Sequence, residues 1–147
     1  MILYLEDGFS LRESTADWLR ELGYDVVDFG RIDLADEFLG DHLDEVICVI
    51  ADLNMNDEWL DEYQSESEGA ILSGWVWLKR FVYPKKQDMP TVIYSKFSSF
   101  LKEYLHSKNK LSELRGGRRI KLVSKGFDAN EGVKALEKAL NELGIRP

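Results

Sequence analysis

Apolar residues follow two alternating rhythms along this chain. Short, mostly apolar runs at 2–5, 24–29, 46–51, 91–94 and 120–124 are too brief for buried helices and rich in β-branched types, which predicts strands. The run V-I-C-V-I-A at 46–51 has no polar interruption, as a central strand buried on both faces requires. Asp25 and Asp28 interrupt the second run and place it nearer an edge. Between the runs, apolar residues recur every three or four positions. Leu11, Thr15, Trp18, Leu19 and Leu22 predict a helix ending at Gly23, and Leu34, Phe38, Leu39 and Leu43 predict a second one starting near Asp33. Ile71, Leu72, Trp75, Val76, Leu78, Phe81 and Val82 predict a third, stopped before Pro84. Phe100, Leu101, Tyr104 and Leu105 follow Ser98 or Ser99 as a cap; Val133, Leu136, Leu140 and Leu143 run to Gly144. Ser10 with Glu13 and Asp128 with Glu131 have capping-box spacing.

Five strand–helix pairs without a fixed-period repeat predict an α/β fold: a doubly wound, five-stranded parallel sheet with helices on both faces, a three-layer sandwich. A strand order of 2-1-3-4-5 is expected, in one domain spanning 1–147. Two stretches do not fit the rhythm. Residues 57–69 contain six acids and no base, with Trp59 and Tyr63, and read as an acidic insertion. Residues 106–119 carry Lys108, Lys110, Arg115, Arg118 and Arg119 around Gly116-Gly117 and read as a basic one. Strand-to-helix loops lie at the carboxyl end of such a sheet and helix-to-strand loops at the other. The two insertions are therefore expected at opposite ends, solvated or facing partners, head to tail between chains in the latter case.

A net charge of −8 argues against nucleic acid or an anionic membrane as the main partner. No apolar run approaches the ~20 residues of a membrane span. Met1 opens directly into a strand pattern with no basic leader, so a cytoplasmic location is expected. Cys48 has no partner cysteine and alternates with branched residues, as a small buried hydrophobe does. His42 and His106 lack metal-ligand spacing.

Charge at the strand ends is what calls for chemistry. With the order 2-1-3-4-5, strands one and three are neighbours where the sheet reverses direction, so Glu6, Asp7 and Asp52 converge at one rim. Three carboxylates within about 5 Å repel by roughly 3 kcal/mol per pair at an effective dielectric of 20, so a compensating cation is expected. An all-oxygen set suits Mg²⁺ or Mn²⁺. Ser95 and Lys125, after strands four and five, add a hydroxyl and a flexible positive charge on the same rim. Together these are the parts of a phosphoryl-transfer site: a carboxylate nucleophile, a metal position, and groups for the equatorial oxygens.

These residues resemble the receiver domains of two-component response regulators. The resemblance covers nearly the whole chain and rests on Glu6-Asp7, on D-L-N-M-N at 52–56, on Ser95 and on Lys125, each at a strand end and in this order. It implies a flavodoxin-like sandwich and a chemotaxis-regulator-like, stand-alone signalling module rather than a classical enzyme. It further implies that Asp52 accepts a phosphoryl group from a sensor histidine kinase or phosphotransfer protein. By the same resemblance, Glu6, Asp7, Asp52 and the main-chain carbonyl of Asn54 hold Mg²⁺, while Ser95 and Lys125 hold the phosphoryl group. A downstream protein effector then reads the change, with the chain a monomer or weak homodimer. The chain departs from the family pattern at Asn56 and Gly126, where proline is common, at Leu122, where an aromatic residue is common, and at Lys96, where a small residue is usual. Two other readings are a receiver-like interaction scaffold that is not phosphorylated and a binder of small anions or nucleotides through Arg115–Arg119.

Overall fold

The computed structural model describes residues 1–55, 62–63, 66–68, 71–114, 119–126 and 128–147. Strands β1 (Ile2–Leu5), β2 (Val26–Phe29), β3 (Cys48–Ala51), β4 (Thr91–Ser95) and β5 (Ile120–Ser124) form one parallel sheet in the order β2-β1-β3-β4-β5. Helices α1 (Phe9–Glu21), α2 (Ile32–Asp41), α3 (Ser73–Trp77), α4 (Ser98–Ser107) and α5 (Ala129–Glu142) cover it on both sides. The architecture is the doubly wound sandwich that the alternating rhythm predicts.

Alternate strand residues point to opposite faces, and each face has its own helices. Ile2, Tyr4, Cys48, Ile50, Val92 and Tyr94 pack against α1 and α5 through Ala16, Leu19, Leu136 and Leu140. Leu3, Leu5, Val49, Ala51 and Ile93 pack against α2, α3 and α4 through Ile32, Leu39, Trp75 and Leu101. A strand buried on both sides has no position for a polar residue, which accounts for the unbroken run over Cys48–Ala51; Ile47, ahead of the strand, is apolar but exposed. Cys48 is buried there as a hydrophobe.

Several local expectations are corrected. The α1 helix starts at Phe9 behind Gly8 with no side-chain cap, so Ser10 lies inside the helix and forms no capping box. At α5, Asp128 does cap, accepting from the Asn130 amide, one residue before Glu131. In α2 the buried stripe is Ile32, Ala35 and Leu39, whereas Leu34 is exposed. The third helical run is α-helical only over Ser73–Trp77 and widens to a π-turn over Leu78–Val82, after which Tyr83 and Pro84 end it. Trp75 and Trp77 are both buried, Trp77 with its indole N–H donating to Asp36 at 3.0 Å.

The expected separation of the two insertions does not hold for their described parts. Glu66 pairs with Lys79 and Arg80, both at 2.8 Å, and Tyr63 sits edge-on to Phe81 with the Arg80 guanidinium over its ring. The described residues Tyr63 and Glu66 therefore lie against the π-turn. Lys79 also lies 4.0 Å from Glu113, on a 3₁₀ turn at Leu111–Leu114 that packs Leu111 and Leu114 against the core. The two connections thus meet at one lysine on one flank. Loop ends fix where a connection starts, but packing of the half-buried Tyr63 and Leu111 against the core draws these residues to the same flank. Most of the acidic stretch, including Trp59, and the Arg115–Arg118 segment lie outside the described residues. Arg119 is described, and lines a cleft at the opposite end of the sheet from Asp52, with Lys86 and Arg146. Among the described residues, no helix is long and apolar enough to cross a membrane.

Candidate functional site

Register alone brings the acids together. Leu5 pairs with Ala51, so Glu6 and Asp52 leave neighbouring strands at the same level, and the Asp52 amide donates to the Leu5 carbonyl at 3.0 Å. Ser95 pairs with Ser124, which places Lys125 one step beyond the end of β4. Carboxylate oxygens of Glu6, Asp7 and Asp52 all lie within 4.8 Å of one another. Lys125 Nζ donates to Asp52 Oδ2 at 2.9 Å and also to Glu6 Oε1. Asp52 Oδ1 accepts from the Leu53 amide at 2.7 Å. The Ser95 hydroxyl faces the same carboxylate while accepting from the Phe97 amide at 3.1 Å. Asn54 is exposed on the lip of the cleft, a space of about 230 Å³ lined also by Asp7, Leu11, Lys96 and Phe97. Five of the six residues singled out from the sequence therefore border one depression, and the sixth, the buried Ser95, contacts it through Asp52.

Glu6, Asp52, Ser95 and Lys125 are buried, whereas Asp7 is exposed. Burial pushes the Glu6 carboxyl up to about 7, helped by its hydrogen bond to Asp52 and by that carboxylate's charge; Lys125 opposes the rise. Burial also acts to raise Asp52, but the hydrogen bond from Glu6, the Lys125 charge and the Ser95 hydroxyl outweigh it and hold Asp52 below its ordinary value. The result is one proton and one ammonium shared between two buried carboxyls, with Asp52 the anionic member. An acid whose carboxyl is raised in the fold contributes stability below its ordinary value, and that contribution is lost as pH rises through the folded one. Between pH 4.5 and 7 the metal-free protein is therefore expected to lose about 2 kcal/mol from Glu6. Asp52 acts with the opposite sign and only at lower pH. Urea unfolding in chelator at pH 5 and pH 8 checks this: a slope equal in wild type and Glu6→Gln rejects it.

The donor set fits a divalent cation of the Mg²⁺ class. Oxygens ~2.1 Å from one octahedral centre stand ~3.0 Å apart in cis and ~4.2 Å in trans, so three carboxylate oxygens within 4.8 Å of one another are near enough to share an ion once their side chains draw in around it. Asn54 lies on the same lip.

No protein-family model matches this chain, and no curated protein matches it. Solved structures do. A response regulator receiver domain protein from Clostridium thermocellum superposes with a TM-score of 0.64 at 17% identity, over 98% of this chain and 96% of that one. The non-phosphorylated HemR receiver domain from Leptospira biflexa gives 0.65 at 19% identity, over 95% and 92%. This chain has the receiver-domain fold. A third receiver structure, the signal receiver domain of an HD domain-containing protein from Pseudomonas fluorescens Pf-5, gives 0.62 at 19% identity over 97% and 88%. The receiver fold so identified is the flavodoxin-like sandwich, and at such identity the likeness speaks for the fold alone.

Within this receiver fold, the structure adds residues that sequence reading missed. A Cβ on Gly74 would stand 1.9 Å from the Asp52 carbonyl oxygen, so only glycine lets α3 approach the strand end so closely. The adjacent Ser73 hydroxyl accepts from the Met55 amide at 2.8 Å and lies 3.0 Å from the Leu53 carbonyl, and the Gly74 amide donates to that carbonyl at 2.9 Å. The pair Ser73-Gly74 thus fastens the loop that carries Asp52 and Asn54. A glycine inside an apolar helical run was the available signal. Gly132 plays the same part for Lys125, whose carbonyl would be 2.8 Å from a Cβ there.

Proposed function

We propose that the chain is a single receiver unit of a two-component phosphorelay, phosphorylated on Asp52 with Mg²⁺ and signalling through a protein partner. The observation that carries this reading is the convergence of Glu6, Asp7 and Asp52 with Lys125, whose Nζ is 2.9 Å from Asp52 Oδ2. Glu6, Asp7, Asp52 and the Asn54 carbonyl would hold the Mg²⁺, with water completing the set. When bound, the ion neutralises charge on the transferring phosphoryl oxygens.

Asp52 is the nucleophile. A carboxylate oxygen forms an O–P bond as the bond from phosphorus to the donor breaks, and the donor group keeps that electron pair. Lys125 already spans Glu6 and Asp52, so it exchanges one carboxylate contact for a phosphoryl oxygen without leaving the pocket. Ser95 offers its hydroxyl from below, at the start of the turn into α4. Acyl phosphate formation replaces the single negative charge of the Asp52 carboxylate with about two on the phosphoryl group, a net gain of about one, which biases the β4–α4 connection and the face a partner reads. A sensor histidine kinase or phosphotransfer protein supplies the group, and a downstream effector reads it.

Incubation with acetyl phosphate and Mg²⁺ followed by intact-mass measurement tests the reading. One added phosphoryl mass is expected on the wild type and none on Asp52→Asn. A wild type that stays at its unmodified mass supports the unphosphorylated scaffold instead.

A further inference from the structure

Outside the cleft, Arg12 makes the contacts that reach the candidate metal acids. Its Nη1 donates to the Glu6 carbonyl at 2.9 Å, and its Nε donates to Asp28 Oδ2 at 3.2 Å. The side chain is largely buried, and its guanidinium fills the space beside Gly30, where a Cβ would stand 2.2 Å from Nη1. From these contacts we infer that Arg12 is a positioning residue for the acid pair Glu6-Asp7, an inference that rests on the metal-dependent reading above.

The backbone of Glu6 is the point at which the sheet ladder runs out. Its amide still donates to Phe29, the last residue of β2, but beyond Phe29 no strand remains to meet its carbonyl. A half-buried carbonyl without a donor is costly, and rotation of the Glu6–Asp7 peptide would relieve it. That rotation would swing the Asp7 side chain away from Glu6 and Asp52. Arg12 supplies the missing donor. It does so from the first turn of α1, where its own amide is bonded to the Gly8 carbonyl, so the fork is fixed to the helix that follows the acid pair. Asp28 holds the second edge of the fork. It also balances the Arg12 charge, so the guanidinium does not oppose a cation in the cleft.

Only a fork of this shape satisfies both partners, because a lysine ammonium is a point donor. Arg20 provides the comparison: it donates to Asp28 Oδ1 at 2.8 Å and to the Val26 carbonyl but does not reach Glu6. The experiment is Mn²⁺ titration followed by electron paramagnetic resonance of the free ion, on wild type, Arg12→Met, Arg12→Lys, Gly30→Ala and Arg20→Met, with a chelator-based unfolding curve for each. Arg12→Met is expected to weaken Mn²⁺ about tenfold, the low end of the 10–100-fold range for outer-sphere groups, with Arg12→Lys only partly restoring it. Gly30→Ala, which displaces the guanidinium without removing it, should weaken binding in the same direction, and Arg20→Met should leave affinity unchanged. Equal affinity in folded wild type and Arg12→Met overturns the inference, as does equal loss in Arg20→Met. Should Arg12→Met fail to fold, wild-type affinity in both Arg12→Lys and Gly30→Ala overturns it. Failure of the wild type to bind Mn²⁺ at all removes the metal-dependent reading itself, and this inference with it.

Discussion

Gly74→Ala is expected to destabilise the protein by about 3 kcal/mol or more, a large share of the 5–15 kcal/mol a domain of this size possesses. A methyl group there would stand 1.9 Å from the Asp52 carbonyl oxygen and 3.0 Å from its carbonyl carbon, and both are backbone atoms of a central strand end that cannot swing aside. Either α3 moves out and abandons Trp75 and Val76 in the core, or the Asp52–Met55 loop moves and carries Asn54 with it. Gly40→Ala in α2 is the control. Nothing lies within 4 Å of a Cβ there, so alanine should be neutral to stabilising by about 0.5–1 kcal/mol. Urea midpoints of the two variants decide the matter: a Gly74→Ala protein within 0.5 kcal/mol of wild type, by the ~0.5 kcal/mol scale of an uneventful surface change, would show that α3 is not seated against the strand end.

Lys125→Met should cost about 3 kcal/mol at pH 8, because breaking a buried ion pair leaves an uncompensated charge among Glu6 and Asp52. The cost should be smaller at pH 6. Without the ammonium, the Glu6 carboxyl moves further up from about 7, since Lys125 is what opposes that rise. At pH 6 the pair holds a proton and is singly charged; at pH 8 the fold either keeps that proton, which the unfolded chain gives up freely, or bears the repulsion of two carboxylates. Stability of the variant therefore falls between pH 6 and pH 8 more steeply than that of the wild type. Mg²⁺ added at pH 8 should return part of the loss by mass action. Unfolding curves at the two pH values, with and without Mg²⁺, read all three effects. Identical curves for variant and wild type at pH 8 would mean that Lys125 does not balance the two carboxyls.

Much of this molecule was legible in one dimension because its two periodicities are local. Cys48–Ala51 within the run at 46–51 is a doubly buried strand since each face of β3 meets a helix layer, and five short apolar runs alternating with helical stripes leave few topologies. The strand ends then name Glu6, Asp7, Asp52, Ser95 and Lys125 without knowledge of a single distance. Capping was less legible, as Ser10 shows. A hydroxyl at the right spacing is useful only if the chain enters the helix there, and Gly8 takes that place because the acid pair occupies the preceding turn.

By itself the sequence determined the sheet, its order and the rim on which the acids stand, because hydrophobic period and strand-end position depend on each residue and its near neighbours. Tertiary structure alone decided that Gly74 and Ser73 clamp the nucleophile loop, that Arg12 completes the hydrogen bonding of Glu6, and that the two insertions meet at Lys79. Each of these is a contact between segments distant along the chain or a clearance of a few ångströms. Such features arise from how helices seat on the finished sheet, and no periodicity in the chain encodes them.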